Sequence, residues 1–498
     1  MKSNKQGYIL SFDQGTTSSR AIIFNHEGHI IAQAHKPITQ YYPEPGWVEH
    51  DPEEIWETQL SVARDAIQAA GIKAEEIVSI GISNQRETVV VWDKDSGRPV
   101  YKAIVWQCRR STSICQELID SGLEDEFRQR TGLRLDPYFS GTKLTWLFRE
   151  IMGLKALAEN GEILFGTIDS WLLWKLTGRH ETDITNASRT LLFNIHDEKW
   201  DPLLLSLLGI PAEILPKVLS SSDDFGSTKP ELFGRAIPVN GVIGDQQAAL
   251  FGQTCFTAGM AKNTYGTGCF ILLNTGSTPV WSKNNLLTTI AWRFGSKTTY
   301  ALEGAVFIGG AVIQWLRDEM QLISSAAESE ALAVSVSNSN GVFIVPAFVG
   351  LGAPHWDPNA RGSIFGITRG VNRAHIVRAA LESIGYQSED MLSAMSVDYG
   401  KPVDLIKVDG GASNNAFLMQ FQSDISGIPV MRPEIEEITA LGAAYMAGLF
   451  CGYWENKKDI EKNWQVKHCY TPKMDEKERK LKLSLWYKAV FATREYKE

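Results

Sequence analysis

The chain lacks the usual marks of several protein classes. None of its six cysteines, at positions 108, 115, 255, 269, 451 and 469, forms a Cys-x-x-Cys pair. That argues against a disulfide framework or a zinc ribbon and predicts reduced thiols. The nine histidines are equally dispersed, and His26 and His29 flank Glu27-Gly28 as a hairpin turn would, rather than as metal ligands do. No continuous apolar run reaches the ~20 residues of a bilayer span. The uncharged run 438–454 is rich in Gly and Ala and reads as a buried helix packed closely on a sheet. The opening MKSNKQGYILSF carries no apolar region of the signal-peptide kind, so a cytoplasmic location and no membrane insertion are expected. Net charge is −9 without long like-charge blocks, which disfavours a nucleic-acid or membrane-surface role. A Walker A loop is also missing.

What is present begins at residues 8–20, YILSFDQGTTSSR. An apolar run leads to Asp13, then to Gly15 and the hydroxyls of Thr16, Thr17, Ser18 and Ser19, and ends on the cation Arg20. A strand closing in a turn so rich in N–H and O–H donors suits phosphate, and an aspartate at its lip suits the Mg²⁺ that accompanies phosphate. The same spacing also fits a polar hairpin turn that binds nothing.

At 498 residues the chain exceeds one core, and two large domains are expected. Strand signals at 8–12, 21–25, 30–34, 77–82, 88–92 and 103–106 alternate with helices, as in an α/β protein. Asp51-Pro52-Glu53-Glu54 predicts a helix start with an N-cap, a first-turn proline and a capping-box glutamate, and Gly71 predicts its end. Residues 169–176 predict a second capped helix. A buried strand at 239–243 runs into Gly244-Asp245-Gln246-Gln247, where Asp245 has the position of an N-cap. Residues 264–268, Thr-Tyr-Gly-Thr-Gly, repeat the opening theme in weaker form, and a third Gly-rich strand end follows at 409–415. The recurrence near mid-chain predicts two domains of similar plan, 1–253 and 254–498, each offering a phosphate turn to a shared cleft. Gly310 and Gln314 fall on one helix face. Three such turns in this order, each after an apolar strand, make an ATP cleft with Mg²⁺ a serious expectation.

The residues between the turns go further. SFDQGTTSSR (11–20), SNQRETVVVW (83–92), AIVWQCRR (103–110), DPYFSGTK (136–143), TNASRTLLFNIH (185–196), GDQQAALFGQ (244–253), KNTYGTGCF (262–270) and VDGGASNN (408–415) closely resemble the FGGY family of carbohydrate kinases, in particular its members acting on glycerol. The resemblance covers nearly the whole chain. It implies two ribonuclease-H-like (actin-like ATPase) α/β domains, with mixed sheets flanked by helices and an active site in the interdomain cleft. The implied reaction is phosphorylation of glycerol by ATP with Mg²⁺, giving sn-glycerol 3-phosphate, and the implied assembly is a homodimer or homotetramer.

Carried over residue by residue, Arg86, Glu87, Tyr138, Asp245 and Gln246 would hold the hydroxyls, and Trp106 and Phe270 would cover the carbon skeleton. Asp245 would be the general base. Asp13 and Asp245 would hold the metal. Thr16, Thr17, Ser18 and Arg20 would take phosphates from one domain and Thr267 from the other, with Gly310, Gln314, Gly411 and Asn415 lining the nucleoside side. Two other readings stay open, a family member acting on a sugar or longer polyol and a non-metabolic actin-fold ATPase. Asp224-Phe225-Gly226 matches a protein-kinase metal motif without that motif's companions, and Asn186-Ala187-Ser188 is a sequon that a cytoplasmic protein leaves idle. Residues 227–235 depart from the regulatory segments known in the family, with Glu231 where some members carry a phosphorylated histidine.

Overall fold

Strand β1 (Tyr8–Gln14) outruns its apolar stretch and folds back antiparallel on β2 (Ser18–Phe24), so that Asp13 faces Arg20 and Gln14 faces Ser19. The computed structural model describes residues 7–496. β3 (Ile30–Pro37) continues the meander, β4 (Ile77–Asn84) runs parallel to β1, and β5 (Val239–Gly244) runs parallel to β4. The sheet order is β5-β4-β1-β2-β3.

The second half repeats this plan. β6 (Ala261–Tyr265) pairs antiparallel with β7 (Cys269–Gly276), and β8 (Lys297–Val306) lies beside β7. β9 (Ile406–Asp409) runs parallel to β6, and β10 (Val430–Pro433) runs parallel to β9. β11 (Val466–Tyr470) closes the far edge. The orders β3-β2-β1-β4-β5 and β8-β7-β6-β9-β10 thus follow one plan, and the second sheet, of seven strands, also contains Leu287–Phe294 and β11.

The chain forms two compact units, but not as two successive stretches. Residues 255–287, 301–436 and 464–498 make the second unit, while Thr288–Tyr300 and Glu437–Asn463 belong with the first. The expected contiguous domain 254–498 thus gives up two segments. The physical reason for the larger one lies in its composition. Helix Ile438–Phe450 carries the uncharged Gly/Ala run, and its backbone lies directly on first-unit glycines. A Cβ added to Gly442 would collide with the Ala248 carbonyl, and one on Gly81 with the Ala443 carbonyl. Among the described residues no helix is long and apolar enough to cross a membrane.

Three local expectations are corrected. Asp51 caps helix Pro52–Ala70 by accepting from the Glu53 N–H at 3.0 Å, and Gly71 ends it with φ +65°. Glu54 does not close a capping box, because its Oε1 accepts from Thr39 N and Oγ1 at 3.0 and 2.8 Å. Helix Ile168–Thr177 begins one residue early, and Asp169 is buried inside it, bonded to Thr167 and Thr182. The strand expected at 88–92 forms as Val90–Asp93, which pairs with Ile163–Gly166 outside the main sheet.

Candidate active site

β1, β4 and β5 are parallel neighbours, and their carboxyl ends coincide, with Asp13 beside Ser83 and Ser83 beside Ile243. Residues just past those ends share one location, the usual ligand-binding edge of a parallel sheet. Arg86 and Glu87 follow β4, and Asp245 follows β5. The Arg86 side chain, 2% exposed, donates from Nη1 to Gln247 Oε1 at 3.0 Å. Its Nε lies 3.3 Å from Asp245 Oδ1 and 3.7 Å from Glu87 Oε1, and its Nη2 reaches the Tyr138 hydroxyl at 3.5 Å. One buried guanidinium therefore holds three of the residues singled out by sequence.

Glu87 has φ +61°, a strained value for a side-chain-bearing residue. Two contacts hold it there. Ser140 Oγ donates to its carbonyl at 3.0 Å, and Arg189 Nε lies 2.6 Å from its Oε1. Tyr138 is fixed on its other side by Lys143, whose Nζ donates to the Tyr138 and Phe139 carbonyls at 2.6 and 3.1 Å. Burial pushes the Lys143 ammonium down to about 8. The Trp106 ring meets Tyr138 edge-on at 5.5 Å, and its Nε1 donates to Thr16 Oγ1 at 2.9 Å, linking this aromatic pair to the opening turn.

Asp245 is the first residue of helix Asp245–Gly252 rather than its cap, a position taken by Gly244. Its Oδ1 accepts from the Gln246 N–H at 2.7 Å, its carboxylate is about 29% exposed, and Gln246 beside it is half-buried.

In the opening turn, Gly15 N–H closes on the Ser18 carbonyl at 3.0 Å, and Thr16, Thr17 and Ser18 sit at or near the surface. Asp13 accepts from Ser83 Oγ at 2.8 Å, and burial raises its pKa against the nearby charge of Arg20. Arg20 pairs with Glu437 at 3.0 Å. Among the described residues no cluster of three His, Cys, Asp or Glu side chains forms a ready metal cage.

The second unit holds a cavity of about 760 Å³ lined by Thr267, Gly310, Gln314, Gly411 and Asn415, together with Glu330. Its volume lies in the range of small-molecule sites. Glycines make it possible. A Cβ on Gly310 would come 2.7 Å from the Gly266 carbonyl, and Gly410, at φ +85°, packs its backbone against Tyr265. Gly411 instead faces open space, with nothing within 4 Å of a Cβ added there. Asn415 accepts from the Leu418 N–H at 2.9 Å, which orients its amide at the start of helix Ala416–Ser426. Phe270 lies half-buried on β7 of this second unit, and its carbonyl accepts from Lys262 Nζ at 3.2 Å.

Sequence reasoning passed over Arg189, Lys143, Gln247 and Glu330. Arg189 had a signal, being the one cation in the uncharged run 184–195. Glu330, on helix Ala326–Val334, had none.

The family model "FGGY family of carbohydrate kinases, N-terminal domain" matches residues 8–252, and its C-terminal counterpart matches 261–451. The chain is similar to the glycerol kinase of Caldanaerobacter subterraneus, with 57% identity over 97% of this chain and 98% of that one. It is also similar to the crystal structure of Plasmodium falciparum glycerol kinase with ADP, with 37% identity, a TM-score of 0.91 and 98% of both chains covered. A gluconate kinase from Lactobacillus acidophilus, at 24% identity and a TM-score of 0.88 over 98% of both chains, shares the fold.

Proposed function

The chain belongs to the FGGY family of carbohydrate kinases, and on that premise we propose that it transfers the terminal phosphoryl group of ATP to glycerol, giving ADP and sn-glycerol 3-phosphate. The observation that carries the substrate assignment is the Arg86 guanidinium, buried among Glu87, Asp245, Gln247 and Tyr138. A small triol needs a donor fork and carboxylate acceptors at one spot, with aromatic cover for its short carbon chain. Arg86, Glu87, Asp245, Tyr138, Gln246 and Trp106 supply these on the first unit. The 57% identity to glycerol kinases over nearly the whole chain supports the same substrate.

In this reading Asp245 takes the proton of the attacking hydroxyl, and the Arg86 Nε at 3.3 Å orients its carboxylate for that task. Phosphoryl transfer is otherwise positioning and charge stabilisation. Thr16, Thr17, Ser18 and Arg20 hold phosphates on the first unit. Thr267 does so on the second, where Gly310, Gln314, Gly411 and Asn415 receive the nucleoside. For Arg20 this means exchanging Glu437, a partner on the partly exposed rim, for phosphate.

Asp13 fits a Mg²⁺ ion that comes in with the nucleotide, since such ions are held by one or two carboxylates, water and phosphates rather than by a protein cage. Asp245 is the second candidate ligand. Bound there, the ion would neutralise charge on the phosphates. Asp13, raised by burial and bonded through one oxygen to Ser83, is a carboxylate that a cation would satisfy. The need for ATP and six free cysteines fit a cytoplasmic enzyme, and the assembly we propose is a homodimer or homotetramer, which light scattering tests.

The decisive experiment is ADP release from Mg-ATP with no acceptor, or with glycerol, xylulose, ribulose or gluconate. Strong stimulation by glycerol alone is expected. Stimulation by a sugar but not by glycerol would move the chain to another branch of the family, and acceptor-independent release would make it an ATPase.

A further inference from the structure

We propose that Asp183 is a positioning residue for this reaction, its one buried carboxylate locking together the two strand ends that carry Arg86-Glu87 and Asp245. The inference rests on the roles assigned above to those three residues.

Asp183 precedes the short helix Ile184–Ala187, and a plain N-cap would accept from one or two backbone N–H groups. Asp183 accepts from the Thr185 and Asn186 N–H groups at 3.0 and 2.9 Å, and then from three side chains: Thr185 Oγ1 at 2.8 Å, Asn186 Nδ2 at 2.9 Å and Ser221 Oγ at 2.8 Å. Asp183, Thr185, Asn186 and Ser221 are all fully buried.

Two branches leave this node. In the first, the Thr185 hydroxyl spends its proton on Asp183 and accepts from the Gly244 N–H at 2.9 Å. Gly244 is the residue before Asp245. Because the carboxylate can only accept, it fixes the direction of the hydroxyl, and the hydroxyl fixes the end of β5. In the second branch, the Asn186 amide faces the Asn84 amide in a reciprocal pair, at 2.9 and 3.1 Å. Asn84 ends β4, two residues before Arg86, and Asn186 Nδ2 also donates to Asp183. β4 and β5 are sheet neighbours with Gly244 opposite Asn84, so the node spans the two places whose separation sets the distance from the bound hydroxyl to the base.

The test is steady-state kinetics on Asp183→Asn, Thr185→Val and Asn186→Ala in the full-length enzyme, with folding checked by circular dichroism and ADP binding by calorimetry. A misplacement of about 1 Å costs on the order of a hundredfold. Asp183→Asn should therefore lose about that in kcat/KM for glycerol while KM for ATP stays within about twofold. Thr185→Val, which cuts only the Asp245 branch, should act mainly on kcat. Asn186→Ala, which cuts only the Arg86-Glu87 branch, should act mainly on the glycerol KM. A merely structural role would scale kcat with the folded fraction in all three variants and leave the glycerol KM alone, and that result overturns the proposal. So does a folded Asp183→Asn with wild-type constants. If Asp183→Asn does not fold, the kcat-against-KM split between the other two decides. Asp245→Asn and Glu87→Gln run alongside. Full activity in those two would refute the site reading itself, whereas their inactivity with a silent Asp183 set would refute only this inference.

Discussion

Arg189 offers a sharp perturbation, because it stands behind the substrate site and was not picked out by motif. Its side chain is fully buried, its Nε lies 2.6 Å from Glu87 Oε1, and its guanidinium carbon lies 5.2 Å from the Phe139 ring and 5.6 Å from the Tyr138 ring. Arg189→Met keeps most of the volume and removes the charge. Glu87, 2% exposed, then keeps the Arg86 Nε at 3.7 Å, outside hydrogen-bond range. Deleting one partner of a buried ion pair costs about 3–5 kcal/mol. That is a large share of the roughly 5–15 kcal/mol by which domains are stable. In the proposed site glycerol offers its own hydroxyls to Glu87, so part of the loss should return on binding, and saturating glycerol should raise the urea midpoint more in the variant than in the wild type. For catalysis, a lost hydrogen bond to a charged group is worth roughly 1.5–3 kcal/mol, or about 10–100-fold in kcat/KM for glycerol. Arg189→Lys restores charge without the planar fork and should recover stability more than activity. The assays are urea unfolding with and without glycerol, and kcat/KM for both substrates. An Arg189→Met enzyme with wild-type stability and an unchanged glycerol KM would refute the view that this pair holds Glu87 in place.

Three further outcomes follow from the geometry. Gly411→Val should leave the thermal midpoint within about a degree or two, since nothing lies within 4 Å of the added Cβ, and surface changes rarely exceed about 0.5 kcal/mol. It should raise KM for ATP about tenfold or more if the nucleotide occupies that space, and an unchanged KM would remove Gly411 from the site. Asp13→Asn should lower kcat at least ~100-fold and weaken the Mg²⁺ dependence seen in a titration. It should also raise the thermal midpoint of the nucleotide-free protein at neutral pH, because burial raises the Asp13 pKa and the fold disfavours its charge. A lower midpoint would contradict that. For Lys143, the folded pKa of about 8 lies below the ordinary 10.5, so between those values the unfolded chain binds more protons and this residue makes stability rise with pH. The difference in unfolding free energy between wild type and Lys143→Met should grow over pH 8–10 by at most about 1.4 kcal/mol per unit, and a flat difference would mean that Lys143 titrates normally.

The legible part of the fold was the part written in periodicity and caps: the opening hairpin, the helix after Asp51, and the strand into Asp245. The helix at 438–450 was legible as buried and close-packed, but its partner was not. Local spacing cannot say that Gly442 lies on Ala248 and Gly81 on Ala443, contacts that join segments hundreds of residues apart. For the same reason Glu54 was misread. Its competitor for the cap, Thr39, comes from a preceding strand connection and not from the helix itself. Within the candidate site, motifs picked out Arg86, Glu87, Tyr138 and Asp245. Arg189, Lys143 and Gln247 face those groups from behind and carry no turn or glycine pattern of their own, so only the three-dimensional contacts reveal them.

The two units share a strand plan, yet their opening hairpins differ, and in the proposed site they do different work. In the first, the turn after β1 keeps Thr16, Thr17 and Ser18, and its neighbour Trp106 ties Thr16 to the substrate wall through a 2.9 Å hydrogen bond. In the proposed site a shift of that turn is therefore a shift of the aromatic cover over glycerol. In the second, the turn after β6 is almost bare. Gly266 and Thr267 carbonyls accept from Gly310 and Ala311 at 2.9 and 3.0 Å, which holds the helix Ala311–Asp318 against the turn and leaves a cavity beside it. A duplicated strand-and-turn plan thus yields a hydroxyl-bearing turn coupled to the acceptor in one unit and a glycine-bared pocket suited to a nucleoside in the other. The coupling makes a specific demand. Trp106→Phe keeps the ring but loses the Nε1 donor, so it should loosen the phosphate turn as well as the glycerol site, raising both KM values. A change confined to glycerol would mean that the turn stands on its own.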